Sequence, residues 1–115
     1  MKVEHNGTLM RIYVSQSHRR HHTDVFRLIV EKLAEAGMAG ATAFMGIEGY
    51  GSHRRISSEK VVDAFVDLPV LIEVVDEHEK IRAFLPVLDD VLDDGLVTLE
   101  RVQTIVNYRS RDTNG

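Results

Sequence analysis

The stretch GIEGYGSHRRISSEK, residues 46–60, brings three glycines, Gly46, Gly49 and Gly51, up against Ser52, His53, Arg54 and Arg55. Glycine reaches positive φ and leaves backbone amides open to a closely approaching ligand. Guanidinium forks match carboxylate and phosphate oxygens two at a time. Ser52 adds a hydroxyl, so the combination suits a loop that binds a small oxyanion. The competing reading is a solvated hairpin whose glycines only permit the turn. A dinucleotide fingerprint would also need a helix to begin directly after the glycines, and none is expected there.

Other clusters carry weaker signals. SHRRHHTD (residues 17–24) holds His18, His21 and His22, and the four-residue spacing of His18 and His22 serves a metal only when both are helical. Thr23 reads as a helix cap, which leaves them outside the helix, and Arg19 and Arg20 repel a cation. Asp89, Asp90, Asp93 and Asp94 read as solubilising carboxylates at a helix end. Tyr13, Tyr50 and Tyr108 have no evident base beside them, and Glu48 and Glu73 are expected to pair with arginines across a sheet. With no cysteine, thiol nucleophiles, thiolate metal sites and disulfides are excluded. No general acid or nucleophile–base pair stands out, so no catalytic residue is assigned and the expectation is a binding protein rather than an enzyme.

The elements that position these residues follow from periodicity. LMRIYVS (residues 9–15) alternates, with Met10, Ile12 and Val14 on one side and Leu9, Arg11 and Tyr13 on the other, which predicts a half-buried strand. TDVFRLIVEKLAEAG predicts a helix with Phe26, Ile29, Val30 and Leu33 on its apolar face, Thr23 as N-cap and Gly37 just past its end. Residues 40–51 predict one long second strand running into the glycine loop. DLPVLIEVVD predicts a third strand, with Pro69 at its start. Asp76 and Glu79 suggest a capping box for a second helix stacking Ile81, Phe84, Leu85, Leu88 and Leu92, which Pro86 should kink or split. Leu96–Tyr108 predicts the last strand, and both termini read as frayed around an ordered core of about residues 9–108.

The order β-α-β-β-α-β predicts an α+β, ferredoxin-like sandwich, a four-stranded antiparallel sheet with both helices on one face. A chain of 115 residues fits a single domain, 1–115. The other sheet face would expose apolar residues of the second and fourth strands (Ala41, Phe44, Ile47, Val97, Leu99, Val102, Ile105), so self-association is expected. The formal net charge of −4 and the absence of aromatics from the third strand argue against nucleic acid as a partner. Glu4, His5 and Asn6 stand where a signal peptide would be apolar, and no run matches a membrane span of about 20 residues, so a cytoplasmic location is expected.

The combination of GATAFMGIEGYGSHRR with LPVLIEVVD and GLVTLERV resembles a family of small bacterial PII-like proteins of unknown function, within the wider PII (GlnB-like) superfamily. The resemblance runs from about Leu9 to Tyr108. It implies a homotrimer whose sheets face one another, a small anionic effector such as an adenine nucleotide in clefts between subunits, and a short T-loop after the second strand that meets a partner protein. It loosely suggests a membrane transporter as that partner. No cofactor is required. The ligand-binding residues it points to are Gly46, Gly49, Gly51, Ser52, Arg54, Arg55, Gly95 and Arg109.

The chain departs from PII proteins at informative places. Leu96 stands where their phosphate-contacting lysine follows the glycine turn, with Asp93 and Asp94 beside it. Their paired arginines near the end of the last strand fall on Asn107 and Arg109 in one register, or on Arg109 and Arg111 two residues on. The loop is short and has no tyrosine at its tip, so control by uridylylation is not implied. A metal-binding or metal-tolerance trimer of the same fold is the alternative reading.

Overall fold

The computed structural model describes residues 2–50, 56–58 and 68–107. Along the chain run β1 (Lys2–Ser15), β2 (Arg19–Arg20), β3 (Thr23–Asp24), α1 (Val25–Glu35), β4 (Ala41–Met45), β5 (Glu48–Tyr50), β6 (Ile56–Ser58), β7 (Pro69–Asp76), α2 (His78–Val91) and β8 (Leu96–Asn107). The main sheet has the order β4-β7-β1-β8 with every pairing antiparallel, so each helix links two strands that flank a third. This is the ferredoxin-like α+β sandwich that the pattern of elements predicts.

The two central strands set the layers. Met10, Ile12 and Val14 of β1 and Val70, Ile72 and Val74 of β7 are buried, and they pack with Val25, Ile29 and Leu33 of α1 and Ile81, Phe84, Leu88 and Val91 of α2. Both helices therefore cover the same sheet face. Each of these side chains contributes about 1.5–3 kcal/mol by leaving water.

Helix details depart from expectation in ways that packing explains. Asp24, not Thr23, is the N-cap of α1, because Thr23 and Asp24 pair with Arg20 and Arg19 in a small hairpin. His21 and His22 form the hairpin's two-residue turn, both with positive φ (51° and 67°), the conformation a tight hairpin of this hand requires. That one-residue shift makes Val25, rather than Phe26, the first deeply buried residue of α1. Gly37 follows the C-cap Ala36 with φ 74°, as expected. Pro86 does not split α2, which continues to Val91; Pro86 and Arg82, whose carbonyl loses its partner, are both on the exposed side.

Two strands differ more. The first begins at Lys2 instead of Leu9, because residues 2–7 pair with Val102–Asn107 as a two-stranded ribbon beyond the end of β7. The expected long second strand is broken into β4 and β5. The Gly46 amide donates to the Pro69 carbonyl at 2.7 Å, and β5 pairs with β6 in a separate ribbon. A Cβ at either Gly46 or Gly49 would lie 2.6 Å from Pro69 Cγ, so the two glycines admit one proline ring. Close approach, rather than positive φ, is what these positions require.

Asp76 is not half of a capping box. Its carboxylate accepts from the Glu77 amide at 2.7 Å and the Ala39 amide at 2.9 Å, and lies 3.4 Å from Lys80 Nζ, tying the end of β7 to the chain before β4 and to α2. Burial disfavours its charge, but the two amides and the ammonium outweigh burial and hold the carboxyl below its ordinary value.

Two outcomes follow from these contacts. Gly49→Ala should destabilise the fold by about 1–3 kcal/mol through the Pro69 clash, and Pro69→Ala in the same chain should recover most of that loss in a denaturant double-mutant cycle. Asp76→Ala should cost about 1–3 kcal/mol at neutral pH by leaving amides without an acceptor. Because the folded carboxyl is lowered, its contribution is present above the ordinary aspartate value of about 3.9 and is lost as pH falls through the lowered one. Urea melts across that window should show a shallower acid-side decline for the variant than for the wild type.

Candidate functional site

The glycine loop leaves the sheet at one end of the β4 edge. Ser15 pairs with Pro69, Met45 with Val70, and Tyr13 with Leu96, so Gly46, Gly49 and Gly95 all lie toward the same end of the sheet. They do not share an edge, since β4 and β8 are the two outer strands. The end of β8 is farther still. Asn107 pairs with Lys2, eleven residues along β8 from Leu96, a run of about 36 Å at strand rise. Gly51, Ser52, Arg54, Arg55 and Arg109 lie outside the described residues, as do His53, Tyr108 and Arg111.

Gly95 has a packing reason of its own. A Cβ there would meet the Tyr13 carbonyl at 2.8 Å and Leu92 Cδ1 at 2.9 Å, so the turn from α2 into β8 presses on the end of β1. Leu96, the residue in the PII lysine position, is 59% exposed. Beside the turn, Arg20 Nη1 donates to both carboxylate oxygens of Asp93, at 3.1 and 3.3 Å.

The sheet face away from the helices is ordered in rows. Register and alternation put Phe44, Leu71, Tyr13 and Leu96 side by side across all four strands, with Phe44, Tyr13 and Leu96 all more than a third exposed. The next row is polar: Thr42, Glu73, Arg11 and Thr98. Arg11 Nε donates to Glu73 at 2.9 Å, the expected cross-sheet pair, and Nη1 reaches Glu100 at 3.4 Å. The Glu73 hydrogen bond and the two carboxylate charges strengthen the hold of Arg11 on its proton against partial desolvation. Of the residues expected on this face, register puts Phe44 and Val102 there. Ala41, Val97, Leu99 and Ile105 fall on the helix side, Val97 and Leu99 at the margin of the core and Ile105 exposed on the ribbon beyond it, while Ile47 is exposed between β4 and β5.

Among the described residues, no group of three His, Asp or Glu side chains could hold a metal ion, His18, His21 and His22 included. No helix there is long and apolar enough to cross a membrane.

One concave region went unread in the sequence. Asn6, Thr8, His78, Arg101 and Gln103, with Gly7 and Val102 between them, line an open depression of about 510 Å³ where the β1/β8 ribbon passes the start of α2. No local pattern marks it, because its residues come from β1, α2 and β8 and meet only through the sheet register.

Known proteins match this chain in both sequence and fold. The family model described as Uncharacterized ACR, COG1993 (DUF190) matches residues 7–104. A UPF0166 protein of Aquifex aeolicus is 36% identical over 97 residues, covering 84% of this chain and 91% of its own. UPF0166 protein MJ1524 of Methanocaldococcus jannaschii is 33% identical over 92 residues, covering 79% of this chain and 84% of its own. Among solved structures, CPII, a nitrogen regulatory PII-like protein from Thiomonas intermedia K12 bound to ADP, AMP and bicarbonate, superposes with a TM-score of 0.66 at 16% identity, over 89% of this chain and 98% of that one. A putative PII-like signaling protein from Thermus thermophilus gives 0.58 at 14% identity, over 90% and 91%. At such identities the structural likeness speaks for the fold. With a family model spanning residues 7–104 and relatives above 30% identity along most of their length, the chain belongs to the DUF190 (UPF0166) family and has a PII-like fold.

Proposed function

We propose that this protein is a non-enzymatic PII-like regulator, a homotrimer that binds a small anionic effector, an adenine nucleotide, between subunits and presents its short glycine loop to a partner protein. The observation that carries the reading is the separation of the two strand ends that lead toward the glycine loop and toward Arg109. The glycine loop leaves from β4 and the chain toward Arg109 leaves from β8, at opposite edges and opposite ends of one sheet. Strand ends so far apart favour a cleft that takes one half from each of two neighbouring copies.

The uncovered sheet face supports assembly. Its row of Phe44, Leu71, Tyr13 and Leu96 presents contiguous apolar surface, of the sort that closes against another copy. The adenine nucleotide as effector draws support from CPII, the similar structure bound to ADP, AMP and bicarbonate. Gly51, Ser52, Arg54 and Arg55 would meet phosphates from the loop, and Arg109 from the neighbour. Gly46, Gly49 and Gly95 would shape the cleft by close packing. Regulation then requires that effector bind the two loop states with different affinity. Placement of this domain in the cytoplasm, with a membrane transporter as target, belongs to the same proposal.

Two measurements test it. In light scattering at micromolar concentration, the protein should run at three times the mass of a 115-residue chain, and a monomer would remove the cleft. In thermal melts, ADP, AMP or ATP should raise Tm by several degrees. A ligand at a hundred times Kd contributes about 2.7 kcal/mol, and each 1 kcal/mol moves Tm by about 4–8 °C in a domain near this size. Arg55→Ala and Arg109→Ala should each remove most of that rise. No rise with any nucleotide, or variants that respond like wild type, would sink the reading.

A further inference from the structure

We infer that the concave corner between the β1/β8 ribbon and the start of α2 is a second binding site, for a small metabolite that carries an oxyanion. It lies at the opposite end of β1 from Pro69 and the loop glycines, on the helix side of the sheet. It uses no residue assigned to the nucleotide cleft.

The inference starts from a change of chemistry along one strand face. On the helix side, β1 and β8 pair Ile12 with Val97 and Met10 with Leu99, all apolar where the helices cover the sheet. Two residues farther out the pairs become Thr8–Arg101 and then Asn6–Gln103. At that point β7 has ended, since Asp76 is the last partner of Thr8, and α2 begins at His78. The ribbon thus carries a polar wall past the end of the core, and the first turn of α2 stands against it.

The depression there, about 510 Å³ and open to solvent on one side, has room for a small metabolite. In a chain with 18 carboxylates, none among the described residues lines it, whereas Arg101 and His78 do. Glu4 is the next residue outward on this face of β1, opposite Ile105, and lies outside the lining. Among the described residues, no carboxylate pairs with Arg101.

One contact in the wall is firmly placed. Thr8 is 1% exposed, and its hydroxyl bonds His78 Nδ1 at 2.8 Å. That bond holds the imidazole against the strand. Where the hydroxyl donates, the ring proton sits on Nε2, and the ring offers an N–H donor to a ligand. Arg101 adds a guanidinium fork, and Asn6 and Gln103 add carboxamides. The start of α2 contributes the positive end of its dipole, offset by Glu79 in its first turn. Arg101 as the cation, with these donors beside it, suits an acceptor-rich group, a phosphate monoester or a carboxylate.

The test is an NMR titration of the isotope-labelled full chain at constant ionic strength, with inorganic phosphate, glycerol 3-phosphate and succinate, and with glycerol as the neutral control. At least one anion should saturate, with a Kd at or below about 1 mM, and shift the amides of Thr8, His78, Arg101 and Gln103 while leaving Gly46 and Gly49 unmoved. The phosphates and succinate together identify which oxyanion is preferred. Arg101→Met should weaken that anion at least about tenfold, Arg101→Lys less, and Glu100→Gln, on the other sheet face, should bind as wild type. Circular dichroism confirms that each variant is folded. The site is refuted if no anion shifts these amides, if glycerol acts as well as the anions, or if folded Arg101→Met and Arg101→Lys both bind like wild type. Because nucleotide at the proposed cleft would move the glycine loop instead, each site can fail without the other.

Discussion

A slip of one residue in β1 would turn Met10, Ile12 and Val14 into solvent and drive Arg11 and Tyr13 into the core. Exposing three buried apolar side chains costs about 1.5–3 kcal/mol each, and burying an unpaired guanidinium costs more. The register of β1 between β7 and β8 is therefore fixed by burial. Every polar arrangement described above inherits it: Arg11 beside Glu73, Thr8 beside Arg101, and Tyr13 between Leu71 and Leu96. Side-chain chemistry on the sheet is a consequence of where the apolar stripe must go.

The same register divides the sheet into regions with different demands. Where helices cover β1, alternation is strict and apolar. Beyond β7, the ribbon has lost its third strand and its helical cover together, and polar pairs replace apolar ones. On the uncovered face, the apolar row sits next to the row containing Arg11 and Glu73. If copies close on that face, the ion pair loses water on assembly, and its worth then lies more in alignment than in stability, because desolvation offsets much of the attraction. The Arg11 guanidinium already spans two carboxylates, Glu73 and Glu100, so the row enters any such contact with its partners chosen.

What the sequence disclosed and what it hid divide along the same physical line. Local periodicity was enough to find both helices, the two central strands, the last strand and the ferredoxin-like order, because each apolar stripe is written within a dozen residues. Gly37 was legible for the same reason: a helix end is a local event. The break between β4 and β5 was not, because it depends on Pro69, twenty or more residues away, fitting against Gly46 and Gly49. Lys2–Thr8 read as fraying because Val3 is its one large apolar residue and the segment acquires order by pairing with β8. The depression had no sequence signature as a unit, since Thr8, His78 and Arg101 meet only through the sheet register. For the proposed cleft, the sequence named loop and strand-end residues; the described structure adds that their elements diverge within one chain.

That divergence bears on how far PII chemistry carries over. The aspartates before β8 would be expected to repel a phosphate, and the exposed pair of Asp93 with Arg20 offsets that only in part. The greater departure is Leu96, which puts exposed apolar surface where PII proteins place a cation. A cleft without that lysine must draw its positive charge from the arginines of the loop and of the strand end. Under the proposed reading, the two sets approach each other only across a subunit contact, because β4 and β8 are the outer strands of one sheet. A fold shared at 16% identity leaves the binding chemistry open, so the proposed cleft has to be argued from this chain's own arginines rather than from the fold.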